Sequence, residues 1–312
     1  MKKIFHTHIK KYQFLTPERL YGEYVKYFET NFTKHDSTIY FIAKCKKIRW
    51  IPESIRFLRN YEFSALVEID GKINNIIINM ADYWYAMEKM QRVFANKEIM
   101  ASSLMGSSGM FKFLPPDIRY KNFGSVVGTD LEGRVLKINC ALKKSINTDK
   151  NSIVDICLYQ AINYYNLPKP KINIIYIGSS LKETFSRLQE HEKWGWIQAQ
   201  KRPDEDILVY FCETESAQLN IKFPFLLKKD HTLNRKEETL ITEMILINYF
   251  KPNEYNKHYI DNNIKKSKYI KSLVKKGFHQ INIEMILNGN MAQLGSIHLG
   301  KYGNHNIYYE IK

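Results

Sequence analysis

The chain has 312 residues, of which 44% are hydrophobic and 13% aromatic. That much apolar material excludes a disordered chain and is enough for a sizeable core, in two domains or one elaborated domain. Lys and Arg number 47 against 32 Asp and Glu, and the resulting +15 suits a polyanionic partner such as DNA or RNA; the rival explanation is lysine filling ordinary solvated faces.

The cysteines (Cys45, Cys140, Cys157, Cys212) are far apart and form no Cys-x-x-Cys pair. Neither a zinc site nor a disulfide framework is expected, which fits a reducing cytosol. The start, Met1-Lys-Lys-Ile-Phe-His-Thr-His, turns polar within a few residues and has no signal-peptide core. No apolar run approaches the ~20 residues of a membrane span. The expectation is a cytoplasmic protein with no membrane partner. His6 and His8 have a spacing that could bind a metal, but at a terminus no site is expected.

Thr16-Pro17-Glu18 reads as a helix start, with a hydroxyl cap and Pro at the first position, continuing through Tyr21, Tyr24, Val25 and Phe28. Thr38 to Trp50 is rich in β-branched and aromatic residues and is predicted to be a strand. Phe63 to Asn79 is a hairpin turning at Asp70-Gly71. Met80 to Glu98 has helical spacing through Trp84, Met87, Met90 and Phe94. Ser102 to Gly109 is a small-residue loop without the Lys-Ser/Thr ending of a P-loop. Val126 to Leu142 is a second hairpin, turning at Glu132-Gly133. These elements form an α+β module over 1–145, with polar Lys143 to Lys150 as its boundary.

Beyond the boundary the pattern changes. Ser152-Ile-Val-Asp155 has the form of a capping box, and Ile153, Ile156, Cys157, Gln160, Ala161 and Tyr164 fall on one helical face. A strand is predicted at Ile172 to Ile177, a helix at Leu181 to His191, and a buried strand at Asp206 to Cys212. A helix spans Glu237 to Phe250 and stops before Pro252. Lys265 to Lys276 is a basic helix, and strands follow at Ile281 to Leu287 and Asn306 to Ile311. The predicted class is α/β. A 150–260 domain carries a small sheet flanked by helices, and 261–312 adds the basic helix and strands packed on it.

The chemistry-bearing residues gather in the second domain. Tyr176 ends a strand just before Gly178, which permits a tight exit. Arg187 and His191 are an i, i+4 pair and share a helix face. Glu243 is a carboxylate on a largely apolar helix, and such a group needs a partner, which a metal would be. Phosphodiester hydrolysis needs an activated water and charge neutralised on phosphate. A hard cation held by a carboxylate, together with an arginine, supplies both. Trp194 and Trp196 could stack on a base or pack under the sheet.

The segment Tyr176-Ile177-Gly178, Arg187, His191, Glu243 with Leu246-Ile247, Lys251-Pro252 and Asn256 resembles the GIY-YIG nuclease family. Asn253 is the less well spaced alternative to Asn256. The resemblance covers about residues 150–260. It implies a Mg²⁺- or Mn²⁺-dependent DNA endonuclease in which Glu243 holds the metal and Arg187 binds the scissile phosphate. Tyr176 would position or deprotonate water, and His191 would assist proton transfer. Asn256, Lys265, Lys266 and Lys268 would track nucleic acid, DNA before RNA, in a setting such as restriction or anti-phage defence. The family's first half-motif, Gly-Ile-Tyr, is not found where expected. Tyr159 and the pair Tyr164-Tyr165 are its candidates, or the half-motif has diverged. The rival class is a non-cleaving nucleic-acid binder on a degenerate domain of this type.

Overall fold

Phe5, Thr7 and Ile9 are buried and alternate with partly exposed Ile4, His6 and His8, the period of a strand. The amino-terminal residues are therefore strand β1 (Lys2–Leu15), an element the sequence reading does not foresee. The computed structural model describes residues 2–20, 37–58, 62–87, 95–97, 99–100, 124–140, 153–180, 192–222, 226–230, 232–252, 254–260, 262–289 and 291–311. After β1 comes a 3-10 turn at Pro17–Leu20. The predicted continuation of that helix through Tyr21 to Phe28 lies outside the described residues. So do the Ser102 to Gly109 loop, the Lys143 to Lys150 boundary and the Leu181 to His191 helix.

In chain order, β2 (Ser37–Lys46) is followed by β3 (Arg49–Phe57), β4 (Glu62–Ile69), β5 (Lys72–Asn79) and α1 (Met80–Met87). Then come β6 (Gly124–Thr129), β7 (Val135–Cys140), β8 (Ile153–Cys157) and α2 (Leu158–Tyr164). β9 (Ile172–Ser179), α3 (Glu192–Ala199), β10 (Glu205–Lys222), β11 (Leu226–Asp230) and α4 (Arg235–Phe250) follow. α5 (Lys268–Lys275), β12 (Phe278–Met285), β13 (Leu294–Gly295) and β14 (His305–Glu310) end the chain. The class is mixed α/β, as predicted.

The chain divides into two units, one of residues 1–46 with 171–312 and one of residues 47–170. The boundaries fall at 46/47 and 170/171, so β1 and β2 belong with the second half of the chain rather than to an amino-terminal 1–145 module. The reason is visible in Thr38 to Trp50, read as one strand. It is two strands in different sheets, β2 and β3, separated at Lys47-Ile48.

The first unit holds one large sheet, ordered β13-β9-β2-β10-β1-β12-β14, with β11 on β10. β2 is antiparallel to both β9 and β10, while β1 is antiparallel to β10 and parallel to β12. Ile39 to Ala43 are all buried, the mark of a strand covered on both faces. On one face Tyr40, Ile42, Ile175, Tyr176, Val209 and Phe211 pack with Trp194 and Ile197 of α3 and with Leu20. On the other, Phe41 meets Phe250 of α4 edge-on at 6.4 Å. Each such fully buried aromatic contributes about 1.5–3 kcal/mol.

α4 is delimited by its own sequence. The Asn234 side chain accepts from Glu237 N while the Glu237 carboxylate accepts from Asn234 N, a complete capping box. The helix ends at Lys251 with φ +46°, and Pro252 follows. α5 is fixed beside it, because Lys276 pairs with Glu237 at 2.5 Å. That ammonium is the main cause of the Glu237 carboxyl lying below its ordinary range.

The second unit contains two antiparallel three-stranded sheets, β3-β4-β5 and β6-β7-β8. Asp70 (φ +53°) and Gly71 (φ +74°) join β4 to β5, the mirror-image turn that the Asp-Gly pair favours. Ile153 to Cys157 is a strand rather than the first turns of a helix, since it pairs with β7 and alternates in burial. The helix begins only at Leu158. Trp50 of β3 is buried and its Nε1 donates to Ile156 O at 3.2 Å.

Candidate functional site

The antiparallel register of β2 and β9 sets Tyr40 opposite Gly178, Ile39 opposite Ser179 and Ile42 opposite Tyr176. Tyr40 is fully buried and its ring lies on the Gly178 backbone. A Cβ added at 178 would sit 2.4 Å from Tyr40 Cζ and 2.5 Å from its hydroxyl oxygen. Only glycine admits a ring that close. The Tyr40 and Tyr176 rings lie 6.0 Å apart, tilted by 39°.

Past the glycine, the Ser179 hydroxyl donates to Glu243 Oε2 at 2.6 Å. Ser179 is 8% exposed and Glu243 is partly exposed from the middle of α4. The short charge-assisted bond fixes the carboxylate at the end of β9. Tyr40 and Glu243 thus reach the Gly178-Ser179 strand end from opposite faces of the sheet. By alternation along β9, Tyr176 and Ser179 point to opposite faces of the sheet, so Tyr176 belongs with Tyr40 and α3 while Glu243 comes from the α4 side.

Asn256 closes the outer edge of β9. Its Oδ1 accepts from Ile177 N and its Nδ2 donates to Ile177 O, both at 2.9 Å. One buried side-chain amide therefore stands in for a neighbouring strand and satisfies two backbone groups. This role is structural; Asn256 is 7% exposed.

Tyr259 lies on the Glu243 side of the site. Its backbone has φ +66° and its carbonyl accepts from Asn248 Nδ2 at 3.0 Å. Burial raises its phenol above the ordinary tyrosine range, and Tyr269 and the Glu243 carboxylate add to this. No sequence motif includes Tyr259. Its only signal is its place after the helix that carries Glu243.

The other expected residues divide as follows. Arg187 and His191 lie outside the described residues, as does Asn253. Lys265 and Lys266 sit on a 3-10 turn at Asn262–Lys266, and Lys268 begins α5; all three are exposed. Ile270 and Leu273 form the buried face of α5. Trp194 is 2% exposed in the core, whereas Trp196 is 67% exposed. Tyr159, Tyr164 and Tyr165 belong to the other unit, on or just after α2. Tyr159 is buried against Arg134, and the Tyr164 hydroxyl donates to Asp82 O. None of the three is in the sheet that holds Tyr176. The tyrosine beside Tyr176-Ile177-Gly178 is Tyr40, and its signal was the pair Ile39-Tyr40, far upstream of the expected spacing.

No group of three or more His, Cys, Asp or Glu side chains gathers among the described residues. A cavity of about 270 Å³ lies near the start of β9, lined by Asn173, Lys251, Pro252, Glu254 and His298 among others; Tyr40, Tyr176, Ser179, Glu243 and Asn256 are not among its lining residues. No helix among the described residues is long and apolar enough to cross a membrane. Comparison with protein-family models, curated proteins and solved structures finds no match to this chain.

Proposed function

We propose that this protein is a metal-dependent DNA endonuclease of the GIY-YIG type, with its first half-motif supplied by Ile39-Tyr40. The observation that carries this reading is the register of β2 on β9. It sets an Ile-Tyr pair antiparallel to Tyr176-Ile177-Gly178 and brings Tyr40 onto Gly178. Ile39-Tyr40 and Tyr176-Ile177-Gly178 are neighbours in space although residues 47–170 lie between them in sequence.

The donor set suits a hard divalent cation. Glu243 offers carboxylate oxygens with Ser179 Oγ beside them, and oxygen ligands are what Mg²⁺ and Mn²⁺ prefer. Glu243 would hold the ion, which when bound supplies Lewis-acid stabilisation of charge on the phosphate. Ser179 orients the carboxylate. Arg187 binds the phosphate and His191 takes the proton of the attacking water, while Tyr40 and Tyr176, on the opposite face of β9 from Glu243, brace the strand end that carries Ser179. The exposed lysines at 265, 266 and 268 contact backbone phosphates away from the cut.

Incubation with supercoiled plasmid and Mg²⁺ or Mn²⁺ tests the reading, with Glu243→Ala, Arg187→Ala and Tyr40→Phe in parallel. The expected result is nicking or linearisation by the wild type that Glu243→Ala and Arg187→Ala lose. Tight, salt-sensitive binding with no cutting in either metal would overturn it in favour of a non-cleaving binder.

A further inference from the structure

Tyr176 is held by a lysine that belongs to no motif. Lys193, the second residue of α3, places its ammonium 5.3 Å from the centre of the Tyr176 ring. The same ammonium donates to the carbonyl oxygen of Tyr255. The Tyr255 hydroxyl donates to Gln200 Oε1 at 2.7 Å, just past the end of α3. The next residue, Asn256, bonds both backbone groups of Ile177. Residues 255 and 256 thus tie α3 to β9 at Ile177, next to Tyr176. A lysine on a free helix surface samples many rotamers, and ordering it costs conformational entropy. Here two contacts on one ammonium select a single arrangement.

The surroundings make that charge count. Tyr176 is 9% exposed and packs among Ile42, Trp194 and Ile197, so little water screens it. The Lys193 ammonium from α3 and the Tyr40 ring from β2 lie beside it, Tyr255 packs against the same cluster, and the Tyr255 carbonyl accepts from Lys193. A cation fixed beside a phenol favours the phenolate, whereas burial alone favours the neutral form.

We propose that Lys193 is a positioning residue for Tyr176, held by the Tyr255 carbonyl so that a fixed positive charge steadies the ring and favours its phenolate. This effect on Tyr176 does not depend on the nuclease reading.

The test uses the full chain carrying 3-fluorotyrosine at position 176 and follows its ¹⁹F resonance against pH, which reports this one phenol. Lys193→Gln and Lys193→Met are expected to raise the midpoint by about one to two pH units. Lys193→Arg is expected to leave it within about half a unit, because the charge remains. Met keeps the aliphatic stem, so it separates lost charge from lost packing if the Gln variant folds poorly. An unchanged midpoint in the folded neutral variants overturns the proposal. If the wild type cuts nothing, the nuclease reading fails and the ¹⁹F titration still decides the role of Lys193.

Discussion

The Ser179 hydroxyl donates to the Glu243 carboxylate at 2.6 Å, joining the end of β9 to the middle of α4. The bond places the proposed metal ligand and holds one of its oxygens. Partners of this kind alter metal affinity or activity by about 10- to 100-fold when removed. Ser179→Ala is therefore expected to raise the Mg²⁺ concentration for half-maximal cleavage by that range, with DNA binding in EDTA unchanged. A metal titration identical to wild type would remove Ser179 from the site.

Asn256 stands in for a strand at the edge of β9, and its loss leaves Ile177 N and O without their partners. Each buried group left unpaired costs about 1–3 kcal/mol. Asn256→Ala is expected to lower unfolding stability by about 2–4 kcal/mol in a urea titration. Asn256→Asp still accepts from Ile177 N but cannot donate to Ile177 O, and is expected to recover part of that loss. Equal stability of the alanine variant and wild type would mean that the edge needs no such partner.

At Gly178 even one methyl group meets the Tyr40 side chain, with two ring carbons and the hydroxyl oxygen within 2.8 Å. Gly178→Ala is expected to destabilise by about 1–3 kcal/mol through overpacking. Combined with Tyr40→Ala, which removes the obstructing ring, the added cost should largely vanish. A coupling of at least about 1 kcal/mol in the double-mutant cycle would reflect this. Additive losses would show that the two residues do not meet.

His305 is fully buried beneath Tyr249 and Phe250. Its Nε2 bonds to Leu294 O at 2.9 Å and its Nδ1 lies 3.1 Å from the Tyr249 hydroxyl. A ring that donates from Nε2 and accepts at Nδ1 is neutral. Burial is the main cause holding its pKa below the ordinary histidine value of 6.5, Lys301 also lowers it, and the Leu294 carbonyl opposes them. Below pH 6.5 the unfolded chain binds this proton more readily than the folded one. Stability is thus expected to fall as pH drops from about 6.5 toward the folded value. Unfolding midpoints at pH 8 and pH 5 check this against His305→Gln, which should flatten the decline. An unaltered slope in the variant would assign the acid sensitivity elsewhere.

If the lysines at 265, 266 and 268 contact phosphates, each loss should reduce the salt dependence of DNA binding. Replacing all three with Gln is expected to lower the slope of log K against log salt by roughly 0.9 per contact. A weaker affinity with an unchanged slope would mean that these lysines act through folding instead.

Much of this molecule was legible where local chemistry decides conformation. Asp70-Gly71 demanded positive φ at both positions and formed the expected hairpin. α4 ended where Pro252 required, but it starts at Arg235 behind an Asn234 cap, two residues before the predicted Glu237. The five residues Ile153 to Cys157 were misread because so short an apolar segment fits either period, and pairing with β7 decided for strand. β1 was missed because a polar-looking start concealed a strand covered on both sides by neighbours far along the chain. The candidate site was half legible. Glu243, Tyr176 and Asn256 follow one another along a single stretch of chain in the first unit, so their spacing could be read. Tyr40 could not be found by spacing, because nothing local in β2 announces that its neighbour is β9.

The same topology sets an order for making the sheet. β1 and β2 leave the ribosome first, yet their partners β9, β10 and β12 follow only after residues 47–170. Until then two long strands rich in Ile, Phe and Tyr have unpaired edges, the state in which nascent chains associate wrongly. The intervening unit can complete its own local hairpins meanwhile, but the central sheet must wait to close across it. Slow maturation, a need for chaperones during synthesis and inclusion-body formation on rapid expression are the price of dividing a hairpin in this way.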